Sequence, residues 1–326
     1  MWGFLYAAAF ITAFGGSIAF KMKHDPFGGE FKVDWNDSVG KVYTDLAYGK
    51  GEANKFDLYV PTSYTANSYG LVVYLHAGGF TSGDKSEDAE MLKWLCAKGY
   101  VTAGINYTLV SDKYPDASVY SQSMEIRESI PYVIAEAEKL GYPIAEMSVS
   151  GGSAGCCLAL LYAYRDAKTS PVPVKMVFGA VGPSSFYPED WKCYGFDLGT
   201  DKSNAAARKL FGAMAGKEIK AAFGTPAYKE EIKDISALLW INENSVPTLV
   251  AYGKYDKVQP YESSQRLLKA LKDNHVPHDY YLLEHSGHGL QNDHKVYREY
   301  MRKILEYLDT YMPLNGTRQA EKHWQN

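Results

Sequence analysis

Apolar and polar positions follow two different periods along this chain. Residues 41–47 and 55–60 alternate apolar and polar side chains, the pattern of half-buried antiparallel strands, and Gly49-Lys50-Gly51 turns between them. Residues 61–69 form a polar loop. The pattern then changes. Leu71-Val72-Val73-Tyr74-Leu75 is a continuous apolar run, as in a strand buried on both faces, and residues 101–105, 147–149, 174–181, 248–252 and 280–283 repeat that character. Helical periods lie between these runs. Residues 87–98 place Ala89, Leu92, Leu95 and Cys96 on one face, with Gly99 as the stop. Residues 124–140 place Ile126, Ile130, Val133, Ile134 and Ala137 on one stripe, with a kink expected at Pro131. Residues 156–164 form an apolar helix, and residues 296–311 turn Val296, Tyr300, Met301, Ile304, Leu305 and Leu308 inward.

Buried strands alternating with helices predict an α/β fold: a mainly parallel sheet flanked by helices on both faces, preceded by two antiparallel strands. The alternation breaks between residues 184 and 245. That aromatic, glycine-containing stretch, with short helical pieces at 205–215 and 229–240, reads as a cap insertion after the sixth strand, over the sheet edge where ligands bind in open α/β folds. The expected organisation is a linker at 25–40, one α/β domain at 41–314 that includes the cap, and a frayed polar tail at 315–326.

The first twenty residues contain no charged side chain, and Lys21, Lys23 and His24 follow at once. Twenty helical residues span roughly 30 Å, the hydrocarbon thickness of a bilayer. No basic segment precedes the run and no A-x-A site follows it, so residues 1–24 are expected to be an uncleaved membrane anchor. The lysines then place the α/β domain on the cytoplasmic side. The alternative is a cleaved signal and secretion. The formal net charge of −4 gives no electrostatic reason to expect a nucleic-acid partner. Cys96, Cys156, Cys157 and Cys193 have no zinc-site spacing, so no metal is expected, and Cys156 and Cys157 read as buried free thiols. The many tyrosines are expected in packing.

Chemistry concentrates at Ser150-Gly151-Gly152-Ser153-Ala154-Gly155, between an apolar strand and an apolar helix. Its G-x-S-x-G pattern fits a nucleophile elbow, a turn so tight that a side chain two residues before or after the serine would collide with its neighbours. A serine hydroxyl is a poor nucleophile at neutral pH and needs a base. Glu284-His285-Ser286-Gly287-His288-Gly289 follows the last strand; His288, deeper in that loop, is the candidate base, and His285 the residue expected to cap or pack. Asp256, just past the strand at 248–252, is the carboxylate that would orient the base, while Asp293 reads as the N-cap of the last helix. The chain order Ser153, Asp256, His288 is the α/β-hydrolase order. The oxyanion donors expected are the N–H groups of Ala154, Gly78 and Gly79, the last two in His76-Ala77-Gly78-Gly79-Phe80 after the third strand. His76 is expected to brace that loop.

Together these motifs resemble the esterase/lipase branch of the α/β-hydrolases, in particular the hormone-sensitive-lipase-like and feruloyl-esterase-like carboxylesterases with an H-G-G-G-[FW] loop. Gly83-Asp84 and Asn106-Tyr107 are similar to that family as well. Ala77 replaces the first glycine of the run, and Cys156 the glycine often found after G-x-S-x-G. The resemblance implies hydrolysis of small to medium carboxylic esters through an acyl-enzyme on Ser153, with no cofactor. Phe80, Tyr107, Phe186, Tyr187 and Trp191 are candidate pocket aromatics. An amidase or peptidase of the arylformamidase or prolyl-oligopeptidase kind is the alternative, and a non-catalytic binding protein on the same fold is a more distant one.

Overall fold

A computed structural model of the chain describes residues 27–318. Its centre is an eight-stranded sheet made of β1 (Gly40–Ala47), β2 (Lys55–Pro61), β3 (Tyr69–Leu75), β4 (Val101–Ile105), β5 (Ile144–Gly152), β6 (Val174–Ala180), β7 (Thr248–Gly253) and β8 (His278–Leu283). The spatial order is β1-β2-β4-β3-β5-β6-β7-β8. β2 runs antiparallel to both β1 and β4, and the remaining pairs are parallel.

Seven helices fill the connections among the described residues: α1 (Ala89–Lys98), α2 (Val119–Lys139), α3 (Ala154–Leu161), α4 (Asp201–Ala215), α5 (Pro226–Ile232), α6 (Tyr261–Asp273) and α7 (His294–Tyr311). Successive side chains of a strand point to opposite faces, so β3 feeds two cores. Leu71, Val73 and Leu75 join Ile126, Ile130 and Val133 of α2 and Leu158 of α3. Val72 joins Trp94 and Leu95 of α1 and Met301, Ile304 and Leu308 of α7 on the other face. This is why the strand is apolar throughout, and it fixes the expected α/β layering.

Several boundaries differ from expectation. α2 begins before residue 124 because Ser118 and Ser121 form a reciprocal cap: Ser118 Oγ accepts from Ser121 N–H and Ser121 Oγ accepts from Ser118 N–H. Pro131 lies within this continuous helix, on an exposed position. The helix after the elbow passes into a π-helical turn, Tyr162–Asp166. The part of the expected linker that the structure describes is docked: Phe31 is buried edge-on against Trp94, and Glu30 pairs with Arg298 and Arg302 of α7. Thr317–Arg318, within the tail expected to fray, pair antiparallel with Tyr64–Thr65. The expected membrane segment at 1–24 lies outside the described residues, among which no helix is long and apolar enough to cross a membrane.

Candidate active site

β5, β7 and β8 are adjacent parallel strands apart from the single intervening strand β6, so the loops at their C-terminal ends open on one side of the sheet. Each loop carries one member of the constellation. At the end of β5, Ser153 sits at φ 51°, ψ −117°, a conformation a non-glycine residue adopts only when its surroundings hold it there. Its N–H donates to Ala180 O of β6. A Cβ on Gly155 would lie 1.9 Å from Leu75 O, and one on Gly151 would lie 2.5 Å from the backbone of Gly155. Glycine is therefore required at both positions, and the turn lifts the serine hydroxyl to the head of α3.

His288 bridges the other two groups. Its Nδ1 is 2.7 Å from Asp256 Oδ2, and its Nε2 is 2.8 Å from Ser153 Oγ. With Nδ1–H donating to the carboxylate, Nε2 is left as the acceptor for the serine O–H. The other oxygen of Asp256 accepts from the N–H groups of Val258 and Gln259, at 2.8 and 2.9 Å. These bonds fix the plane of the carboxylate. His285 takes no part in this relay. It faces solvent, with Nδ1 2.9 Å from Asp293 Oδ1.

Asp293 departs from its expected role. It stands at the N-cap position of α7, but its side chain makes no cap bond. It reaches back instead to accept from His285 N–H and from Ser286 Oγ, and Ser286 Oγ in turn accepts from Asn292 N–H. The loop that carries His288 is closed on itself by this carboxylate. The hydrogen bonds from Ser286 and His285 outweigh the effect of burial and hold the Asp293 carboxyl below the usual carboxylate range.

The loop after β3 turns at Gly78, φ 130°, where a Cβ would lie 1.8 Å from Ser82 O. Gly78 O accepts from the N–H groups of Thr81 and Ser82. Phe80, at φ 70°, is held by its carbonyl, which accepts from Val110 N–H at 3.0 Å and from Gln122 Nε2 at 2.9 Å. His76 braces the loop as expected: Nδ1 is 2.7 Å from Ala77 O, and the ring stacks on Tyr107 with centroids 4.3 Å apart. Burial lowers its pKa, so the imidazole is neutral. The two motifs noted beside the loop serve the same end. Asn106 joins Asp84 to the Lys85 backbone, and Tyr107 OH donates to His76 O.

A cavity of about 30 Å³ opens onto Ser153, Ala154 and His288. Gly79 and Phe80 of the oxyanion loop line it, as do Pro183, Trp191, Tyr194 and Met214 from the segment between β6 and β7, and Val258 and Gln259 from the aspartate loop. Of the expected oxyanion donors, Gly79 and Ala154 therefore reach this cavity, whereas Gly78 is not among its lining residues and shapes the turn. Of the expected pocket aromatics, Phe80 and Trp191 line it. Tyr107 does not, because it is buried against His76; Phe186 does not, because it packs between Trp191 and Phe211. Tyr187 is also outside, with the Arg266 guanidinium over its ring. Val258 and Gln259 could have been found by their adjacency to Asp256. Tyr194 and Met214 carry no local signal. Cys156 and Cys157 are buried free thiols, and burial pushes Cys156 up to about 12. No cluster of side chains able to hold a metal ion occurs among the described residues.

The fold and this site can be set beside known proteins. A kynurenine formamidase from Salmo salar is 32% identical over 128 residues, 39% of this chain and 40% of the relative. One from Danio rerio is 28% identical over 129 residues, 40% of this chain and 41% of the relative. The chain thus spans about two-fifths of the length of these curated relatives. Among solved structures, an inhibited esterase B from Lactobacillus rhamnosis superimposes with a TM-score of 0.67 at 19% identity, covering 94% of this chain and 95% of that one. A thermophilic esterase from Thermogutta terrifontis gives 0.64 at 19% identity, covering 88% and 95%. A truncated carbohydrate esterase from gut microbiota gives 0.64 at 16% identity, covering 85% and 99%. These likenesses establish the α/β-hydrolase fold. The BD-FAE family model matches residues 56–271, from β2 through most of α6, and the chain belongs to that family of esterase-like α/β-hydrolases.

Proposed function

We propose that the protein is a serine carboxylesterase for esters with a small acyl group. The observation that carries this reading is the Ser153–His288–Asp256 relay, closed at 2.8 and 2.7 Å. In the first step Ser153 Oγ attacks the ester carbonyl while His288 Nε2 takes its proton. Asp256 holds the ring and stabilises the imidazolium. The N–H groups of Gly79 and Ala154 receive the developing oxyanion, an arrangement in which one donor is typically worth about 10²–10³ in rate. His288 then protonates the departing alcohol. Water, activated by the same histidine, releases the acyl group from Ser153. No step calls for a metal or organic cofactor.

The cavity supports the choice of a small acyl group. The enclosed space between the oxyanion loop and the segment at residues 183–214 is small, about 30 Å³, and is walled by Phe80, Trp191 and Met214. An acetyl group suits it better than a long acyl chain. The test is a series of para-nitrophenyl esters of increasing acyl length, with a fluorophosphonate probe to label Ser153. Turnover should be greatest at two or three carbons, with labelling at Ser153 abolished in Ser153→Ala. A preference for long chains, or full labelling of that variant, would overturn the reading.

The kynurenine formamidase relatives support a second reading, cleavage of a formamide-type amide by the same machinery. A formyl group is the smallest acyl group and fits the same cavity. Turnover of para-nitrophenyl acetate is to be compared with turnover of a formanilide. Faster amide turnover would select the formamidase reading. The apolar segment at 1–20 supports a further part of the proposal, that the enzyme is held at a membrane. Full-length protein should then sediment with membranes, and protein without residues 1–24 should not.

A further inference from the structure

Three successive residues of the oxyanion loop have positive φ: Gly78 at 130°, Gly79 at 59° and Phe80 at 70°. Such a turn persists only where its surroundings hold it. Gln122, buried near the start of α2, donates from Nε2 to Phe80 O at 2.9 Å and to Thr108 O at 2.8 Å. The peptide unit that carries Phe80 C=O also carries Thr81 N–H, which donates to Gly78 O at 3.1 Å. The peptide unit of Gly78 C=O in turn carries Gly79 N–H. A trans peptide is planar, and its N–H and C=O point in opposite directions. Gly79 N–H therefore points away from the bond that Thr81 makes to Gly78 O, and Gly79 borders the cavity at Ser153.

We infer that Gln122 is a positioning residue for the oxyanion donor Gly79 N–H and acts on it through two peptide units. The series runs from Gln122 Nε2 to Phe80 O, from Thr81 N–H to Gly78 O, and from Gly79 N–H to the oxyanion. Gln122 fixes the tilt of the first peptide plane, and that plane fixes the second. Each bond also polarises the next, so the last donor is strengthened as well as aimed. The side chain suits this task better than packing. Its Oε1 has no hydrogen-bond partner among the described residues, and a buried acceptor left unpaired is costly. Exchanging the two ends of the amide would press an oxygen against two carbonyls. What Gln122 supplies is a pair of N–H donors on a helix of 21 residues. This inference rests on the serine-hydrolase reading above and holds for an ester and a formamide alike, since both react through an oxyanion.

Gln122→Met keeps the length of the side chain and removes both donors. The experiment measures three quantities for the full chain and for this variant, each per Ser153 titrated to completion with a fluorophosphonate. They are kcat/KM for para-nitrophenyl acetate, the affinity for 1,1,1-trifluoro-2-pentanone, which adds to Ser153 as a hemiketal bearing an oxyanion, and the affinity for 2-pentanone, which binds without that charge. In Gln122→Met the first two should fall together by about 10- to 100-fold, while the third changes by less than about threefold. An unchanged trifluoroketone affinity, or an equal fall in all three quantities, overturns the inference. Gln122→Glu has at most one hydrogen for the two carbonyls and should also lose trifluoroketone affinity relative to 2-pentanone; it decides if Gln122→Met does not fold. Failure of both variants to fold would assign Gln122 to the fold alone and overturn the inference as well. Failure of the serine-hydrolase reading looks different: the unsubstituted protein turns over neither para-nitrophenyl acetate nor a formanilide, and a fluorophosphonate does not label Ser153.

Discussion

The carbonyl oxygen of Leu75 stands 1.9 Å from the point a Cβ on Gly155 would occupy. Leu75 ends β3 and leads into the loop at Gly78 and Gly79, while Gly155 lies in the first turn of α3, so this approach sets the distance between that loop and Ser153. Gly155→Ala cannot be accommodated by moving a flexible side chain, because the obstacle is backbone. It should cost more than about 3 kcal/mol or prevent folding. Gly152→Ala is the control. The nearest atom to its Cβ is Tyr74 OH at 3.6 Å, so its stability should stay within about 0.5 kcal/mol. Chemical denaturation of the two variants checks the contrast.

Ser153→Ala and His288→Ala should each reduce ester turnover by several powers of ten, and the double variant should be little worse than either, because the two residues act as one unit. Asp256→Asn should also fall steeply, since an amide facing His288 Nδ1 no longer selects the tautomer that leaves Nε2 free to accept. Single-turnover kinetics with para-nitrophenyl acetate measure all four. Independent, additive losses would mean that the three groups are not one relay.

Asp293 never approaches the serine, yet it closes the loop that carries His288 through Ser286 and the His285 backbone. Asp293→Ala should lower kcat/KM by about 10- to 100-fold, the usual effect of misplacing a catalytic group by a fraction of an ångström to one ångström. Asp293→Asn keeps one carbonyl acceptor and should recover part of the loss. The fluorophosphonate labelling rate of Ser153 should follow the same order. An unchanged rate in Asp293→Ala would leave Asp293 with a purely local role in the loop.

Acid should weaken the fold in two stages through the oxyanion loop. Burial lowers the His76 pKa, so the unfolded chain, with an ordinary histidine near 6.5, binds the proton more readily. The stability this histidine contributes is complete above about pH 6.5 and is lost as the pH falls below it. For Asp84, burial alone would raise the pKa, but hydrogen bonds from Ser86 and Asn106 overcome it and bring the carboxyl to about 2. Its contribution is present above the ordinary carboxylate value of 3.8 and is lost as the pH falls towards 2. Urea midpoints measured from pH 8 down to about pH 2 should show the upper stage flattened in His76→Gln and the lower stage flattened in Asp84→Asn.

The layered α/β fold and the three side chains of the Ser153–His288–Asp256 relay were legible in the chain alone. Continuous apolar strands alternating with amphipathic helices can be buried only as a sheet covered on both faces, and β3 divides its side chains between the two cores in that way. The elbow was legible from the spacing of its glycines, of which Gly151 faces the backbone of Gly155 within the turn while Gly155 faces Leu75 of β3, and Asp256 and His288 because strand ends in this topology converge on one edge. What lines the cavity depends on long-range packing. Aromatic character placed Tyr107 and Phe186 in the pocket, but each found a better partner elsewhere, His76 in one case and Trp191 with Phe211 in the other. Tyr194 and Met214 reach Ser153 only through the path of the segment between β6 and β7, whose short helices have no period that fixes their orientation. The role of Asp293 was hidden for the same reason. An aspartate ahead of a helix reads as a cap, and only the fold of the preceding loop brings Ser286 within 2.6 Å of it. Local sequence specifies what a residue can do with its neighbours in the chain. Which distant group it meets depends on how the loops cross above the sheet.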